Sequence, residues 1–332
     1  VSPENRALQA YRNAMTMHRR LLTRRLRTAP SNATMQVQNI RLTSSVLWGL
    51  RDRYPGTYAA GFAAVESLSL LEGWNDSLVV ARAQRIGPAS PRYADAAHIA
   101  RRAEARLDGH RAALALLDTL EARAATARQR AGVQAARIQA FLDSAQVEAA
   151  LSASQRLRAR FPRTPWAEWA RRTEYEAARL RPGMTAPNLT LRTLRGDTLS
   201  LHGLRGRPVV LEYYRPGLDL YALQRPLRNA LYDATRADSV AFVSVSTEPD
   251  TLVNRAFLHN RRLPGHRAIA ADGPQDPLVR RYNATRLPRW ILIDDTGAIV
   301  DCYWAGDFPA LRQGLTQLLQ ARPTAAAPLS LP

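Results

Sequence analysis

Val209-Val210-Leu211-Glu212-Tyr213-Tyr214-Arg215-Pro216-Gly217-Leu218-Asp219-Leu220-Tyr221 decides the fold of the C-terminal half. Its first six residues are β-branched, aromatic or aliphatic apart from Glu212, which predicts a strand. Pro216-Gly217 then breaks the chain, and Leu218–Thr235 has helical spacing. The same alternation continues with a predicted strand at Val240–Val245, a helix at Leu252–Arg261, strands at Trp290–Ile293 and Ala298–Trp304, and a helix at Phe308–Leu319. Strands alternating with helices predict a three-layer α/β domain with a mixed sheet. It is expected to start at the composition change Arg181-Pro182-Gly183 and to run over 181–320, with a Pro- and Ala-rich extended tail at 321–332.

Several separate segments of this half resemble the thioredoxin-like thiol-disulfide oxidoreductases of the TlpA/ResA type, bacterial envelope proteins related to the AhpC/TSA peroxiredoxins. Gly183-Met184-Thr185-Ala186-Pro187-Asn188-Leu189 is similar to the segment with which that domain begins. Gly196-Asp197-Thr198, with Leu201, Leu204 and Gly206-Arg207-Pro208, is similar to its hairpin, arginine standing where lysine is usual. Val209–Tyr214 fits its central strand, and Arg286-Leu287-Pro288-Arg289-Trp290-Ile291-Leu292-Ile293-Asp294 with Gly297 and Ile299 fits its G-V-P-x-x-F-L-I-D-x-x-G-x-I.

The resemblance implies a thioredoxin-like fold, and it also places what is missing. Aligned from the strand, the family's two redox cysteines fall on Leu218 and Tyr221. Disulfide exchange needs a thiolate and a resolving thiol at a helix N-terminus, and these side chains supply neither. Pro226 matches a mid-helix proline of the family and Pro288 its cis-proline. Glu212 falls near the buried carboxylate that assists proton transfer there, and with no dithiol to serve it is read as paired with a nearby arginine. Asp219 is expected to cap the helix that follows.

Residues 1–180 are rich in Ala, Leu and Arg at helical spacing, which predicts an all-helical domain. Three segments repeat one pattern: Tyr54-Pro55-Gly56-Thr57-Tyr58-Ala59, Ala89-Ser90-Pro91-Arg92-Tyr93-Ala94 and Phe161-Pro162-Arg163-Thr164-Pro165-Trp166-Ala167. In each, Pro breaks the chain, Ser or Thr can cap, and an aromatic-Ala pair restarts a helix. The spacings suggest a period near 34 with one degenerate copy, so the half resembles tetratricopeptide-like helical repeats. An irregular helical bundle with similar punctuation is the alternative. A helix from Pro3 to Thr28 is expected to bury Leu8, Tyr11, Met15, His18 and Leu22 on one face.

The chain's 47 basic residues are all arginine, against 28 acids, for a net charge of +19. That balance favours acidic protein faces or anionic lipid, with Arg19, Arg20, Arg24 and Arg25 on the first helix as candidate contacts. Tyr213, Tyr214, Arg215 and Tyr221, around the former redox face, are candidates for a second contact. Nucleic acid ranks below both, because the arginine clusters carry no recognised nucleic-acid motif. The six histidines are scattered without metal-ligand spacing, so neither a metal site nor a cofactor is expected.

The one cysteine, Cys302, lies in a predicted strand and excludes an internal disulfide. The chain starts at Val1 instead of Met, which fits a removed leader or a trimmed start. Together these readings predict a non-catalytic interaction subunit on the periplasmic or outer face of the envelope, docking on a larger, membrane-associated complex. The alternative is a thiol-dependent reductase or peroxidase using Cys302.

Overall fold

A computed structural model of the protein describes residues 2–28, 33–88, 90–259, 261–304 and 307–321, the side chains of 22–37 excepted. Of the expected tail, Ala321 ends the C-terminal helix Phe308–Ala321 and 322–332 lie outside the described residues. The chain divides into two compact units, Val1–Glu174 and Tyr175–Pro332. The division falls inside a helix, ahead of the composition change at Arg181, because the end of that helix bonds into the second unit. Tyr175 Oη donates to Arg281 O at 3.1 Å, and Arg289 donates to Glu176 Oε1 at 2.6 Å.

The first unit is helical: α1 Pro3–Thr28, α2 Ala33–Arg53, α3 Tyr58–Leu71, α4 Asp76–Gln84, α5 Tyr93–Arg123, α6 Ala127–Asp143, α7 Val147–Arg160 and α8 Pro165–Arg179, the last crossing into the second unit. Successive helices pack on one another from α1 to α7, with α1 also touching α3 and α3 touching α5. The three punctuated segments each open a helix, at Tyr58, Tyr93 and Pro165. Thr57 accepts from Ala60 N–H as a cap, but Ser90 does not cap α5, whose N-cap is Arg92.

Two glycines explain the spacing. Gly109 (φ +83°) breaks α5 into two helices, a backbone conformation that side chains oppose, and makes one helix into a hairpin. The degenerate copy then starts at Ala127, where Thr126 and Gln129 form a capping box and no aromatic is present. At Gly132 a Cβ would lie 2.3 Å from Ala94 Cβ and 2.9 Å from Trp166 Nε1. The absence of a side chain therefore lets the starts of α5 and α8 meet α6.

On α1, Tyr11 and Met15 pack with Leu47, Leu50, Ala60 and Ala63, and buried His18 sits 3.1 Å from Thr43 Oγ1. Glu4 reaches across to accept from the N–H groups of Tyr58 and Ala59, each at 2.8 Å, and so caps α3 from outside.

The second unit holds a two-stranded antiparallel hairpin, β1 Thr190–Arg192 and β2 Thr198–Ser200, and a five-stranded mixed sheet. Its strands are β3 Val209–Tyr214, β4 Ala241–Ser246, β5 His266–Ile269, β6 Arg289–Ile293 and β7 Ile299–Trp304, in the order β5-β4-β3-β6-β7. β3, β4 and β5 run parallel, and β6 and β7 antiparallel to their neighbours. The helices are α9 Asp219–Ala234, α10 Thr251–His259, the short α11 Pro277–Arg280 and α12 Phe308–Ala321. With the strand order β5-β4-β3-β6-β7 and helix α9 following the central strand, the unit is thioredoxin-like; the Leu287–Pro288 bond just before β6 is cis.

Alternation along β3 divides its side chains between two cores. Val210 and Tyr214 pack with Leu231, Phe257, Phe308 and Leu311 from α9, α10 and α12. Leu211 and Tyr213 face the other way, among Leu180, Leu191, Leu201, Val279 and Tyr282. With helices over one face and hairpin and α11 over the other, the central strand is buried at every residue.

Candidate functional site

The position where the resembled family does its chemistry is the turn from β3 into α9. After Tyr214 the chain turns through Arg215-Pro216-Gly217, Leu218 N–H bonding back to Arg215 O at 3.3 Å. Leu218 keeps extended dihedrals (φ −75°, ψ 115°) and is therefore the N-cap of α9, with no side-chain cap. This corrects the expectation that Asp219 caps the helix: the turn ends one residue earlier, and Asp219 stands in the first helical turn, where its charge favours the positive end of the dipole. Pairing of Tyr213 with Arg289 puts buried Pro288, by continuation of the register, level with Tyr214.

Tyr221 lies three residues into α9 and is completely buried. Its hydroxyl donates to Glu212 Oε1 at 3.0 Å, and Ser244 of β4 donates to the same oxygen at 2.6 Å. Arg228, two turns further along α9 and also fully buried, donates from Nε to Glu212 Oε2 at 3.3 Å and from Nη2 to Ser244 Oγ at 3.0 Å. The guanidinium carbon lies 4.8 Å from the centre of the Phe242 ring. Glu212, with only 1% of its surface exposed, thus has a buried cation and two hydroxyl donors. The arginine left unnamed by the sequence reading is Arg228.

Aromatic packing closes the space above. Tyr214 stacks on Tyr221 with ring centres 4.6 Å apart, and Phe257 lies 5.8 Å and 6.1 Å from the two. Burial, and then the nearby Glu212 charge, hold the Tyr221 phenol well above its ordinary range. Burial does the same for Tyr214. Both remain neutral hydroxyls at any physiological pH, hydrogen-bonding groups instead of nucleophiles.

The predicted contact residues separate sharply. Tyr213 and Tyr214 are at most 1% exposed because β3 is covered on both faces, and Tyr221 is fully buried on the inward side of α9, so the three cannot form a docking surface. Tyr213 Oη is instead spent on Leu278 O at 2.7 Å. Arg215 is exposed and pairs with Glu248 at 3.3 Å. Arg19 and Arg20 are exposed on α1, while the side chains of Arg24 and Arg25 lie outside the described residues.

Cys302 belongs to the other face of the sheet. It pairs with Ile291, which pairs with Leu211, and it packs with the Leu211 core, away from α9. Its Sγ donates to Leu180 O at 3.7 Å, and burial pushes the thiol up to about 11. The sequence reading missed a neighbour: Arg289, directly after Pro288, is 2% exposed, donates to Glu176 and lies 4.0 Å from the Trp304 ring centre. Among the described residues no group of His, Cys, Asp and Glu is arranged to hold a metal ion, and no helix is long and apolar enough to cross a membrane.

No family model matches the sequence, and neither does any curated protein. Solved structures do. The thioredoxin domain of a Bacteroides vulgatus thiol-disulfide oxidoreductase is 21% identical over 42% of this chain and 99% of its own, with a TM-score of 0.39. A thiol-disulfide oxidoreductase of Bacteroides fragilis is 21% identical over 40% of this chain and 98% of its own, at 0.37. A secreted Mycobacterium tuberculosis disulfide oxidoreductase is 22% identical over 39% of this chain and 96% of its own, at 0.34. The C-terminal unit of this chain is thus similar to thioredoxin-like thiol-disulfide oxidoreductases while the chain carries a single cysteine.

Proposed function

We propose that this chain is a non-catalytic interaction subunit of the bacterial envelope. The observation that carries the reading is Tyr221: where the resembled family has a thiol, this chain has a phenol locked onto Glu212 inside a closed network of Arg228 and Ser244. The acid is occupied by structural partners, and Leu218 at the helix N-cap has no group to ionise. Thiolate chemistry is removed while the packed fold is kept, which suits a rigid binding module.

The helical unit, with exposed Arg19 and Arg20 on α1, is the part read as docking on an acidic or membrane-exposed face of a larger complex, and anionic lipid is a secondary contact. A place on the periplasmic or outer face of the envelope belongs to the same proposal and is supported by the family resemblance alone.

The test is a mild-detergent pull-down from native membranes at low and high salt, with mass spectrometry. A stoichiometric envelope complex released by salt supports a subunit held partly by its arginines. A monomer without partners at either salt, together with thiol-dependent turnover that alkylation of Cys302 abolishes, would replace this reading with the enzymatic one.

A further inference from the structure

Helix α9 carries an apolar seam on its solvent side. Leu220, Leu223, Leu227, Ala230 and Ala234 follow one another at intervals of three, four, three and four residues, the spacing with which one helix meets another along a shared line. All five are exposed, Leu223 at 74% and Leu227 at 56%. The inward side of the same helix is already spent on Tyr221, Gln224, Arg228 and Leu231. Isolated exposed leucines need no explanation, but three of them in register along one helix do.

We propose that this seam binds a second copy of the chain, α9 against α9 in antiparallel fashion, around a twofold axis at Leu227. The sequence is complementary to itself in that orientation. Leu220 comes level with Ala234 of the second copy, Leu223 lies within one residue of the level of Ala230, and Leu227 meets Leu227, so each large side chain has a small one nearest it except on the axis. Charge agrees with size. Exposed Asp219 at the start of one helix comes beside exposed Arg236, just past the end of the other. A parallel pair would instead bring Asp219 to Asp219 and Arg236 to Arg236, with the two helix dipoles aligned side by side. Antiparallel pairing is therefore the arrangement in which shape, charge and dipole agree. It uses a surface of the thioredoxin-like unit alone and is independent of what the arginines of α1 bind.

Sedimentation equilibrium of the full chain tests this. The wild type is expected to dimerise in the micromolar range, and Leu227→Asp, which changes a solvent-exposed side chain, to weaken the dimer at least about tenfold. Asp219→Arg is expected to weaken it too, and Asp219→Arg with Arg236→Asp to restore it. Under oxidation Leu227→Cys is expected to cross-link copies, whereas Leu223→Cys does so only when Ala230→Cys is added. A wild type that stays monomeric, dimers that survive Leu227→Asp, or a seam that engages only anionic vesicles or a different protein would each overturn the proposal.

Discussion

Tyr221 and Glu212 lie nine residues apart in sequence and are joined by a 3.0 Å hydrogen bond in which the phenol donates to the carboxylate. The side chain at the second redox position of the resembled family thus supports the buried acid. Arg228 supplies the compensating charge, so the buried acid depends first on that arginine and only secondarily on its hydroxyl donors.

Removing the cation alone should therefore be severe. Arg228→Met is expected to destabilise the second unit by about 3–5 kcal/mol, because it leaves a buried carboxylate uncompensated. Tyr221→Phe should cost only about 1–2 kcal/mol, since Ser244 and Arg228 still hold Glu212. Adding Glu212→Leu to Arg228→Met should recover most of the loss. Urea unfolding followed by tyrosine fluorescence separates the three variants.

Cys302 should be inert in the folded protein. With its thiol pushed up to about 11, it should react with a disulfide reagent at neutral pH only after unfolding. Because the folded value lies above the ordinary 9.0, the stability this burial contributes is complete below pH 9 and is lost as pH rises through 11. Cys302→Ala should flatten the unfolding profile across that window.

An acid-side window belongs to His98, which stacks on Trp166 with ring centres 5.7 Å apart and whose imidazole is held down to about 4 by burial and then by Arg101 and Arg102. Its neutral form is the folded one. The stability it contributes is complete above pH 6.5 and is lost as pH falls through 4, an effect on the order of 3 kcal/mol. His98→Gln should reduce the difference between urea midpoints measured at pH 7 and pH 4.5.

The long apolar runs were the legible part. β3 and α9 lie where the Val209–Tyr221 stretch puts them, and α1 spans Pro3–Thr28 as its periodicity predicts. β5 was not foreseen, because His266-Arg267-Ala268-Ile269 is a short edge strand with one β-branched residue. The tyrosines of the former redox face were misplaced for a different reason. Aromatic and arginine composition marks interfaces and cores alike, and only the packing of helices over β3 shows that these side chains are covered. Burial of Arg228 and Arg289 had no local signal, since each depends on an acid far away in sequence, Glu212 and Glu176.

Charge on α1 should govern docking without governing the fold. Arg19→Glu with Arg20→Glu changes two exposed side chains and is expected to leave the melting temperature within a few degrees of wild type. The same pair should release the membrane complex at lower salt, read by the pull-down across a salt series.

On the proposed reading the thioredoxin-like unit binds without catalysing. The most direct test is turnover of a disulfide substrate and of a peroxide by the wild type and Cys302→Ser, with glutathione or dithiothreitol as the external thiol. The account predicts no turnover above the thiol blank for either protein, and equal recovery of the salt-sensitive complex. Turnover by the wild type that disappears in Cys302→Ser would contradict it.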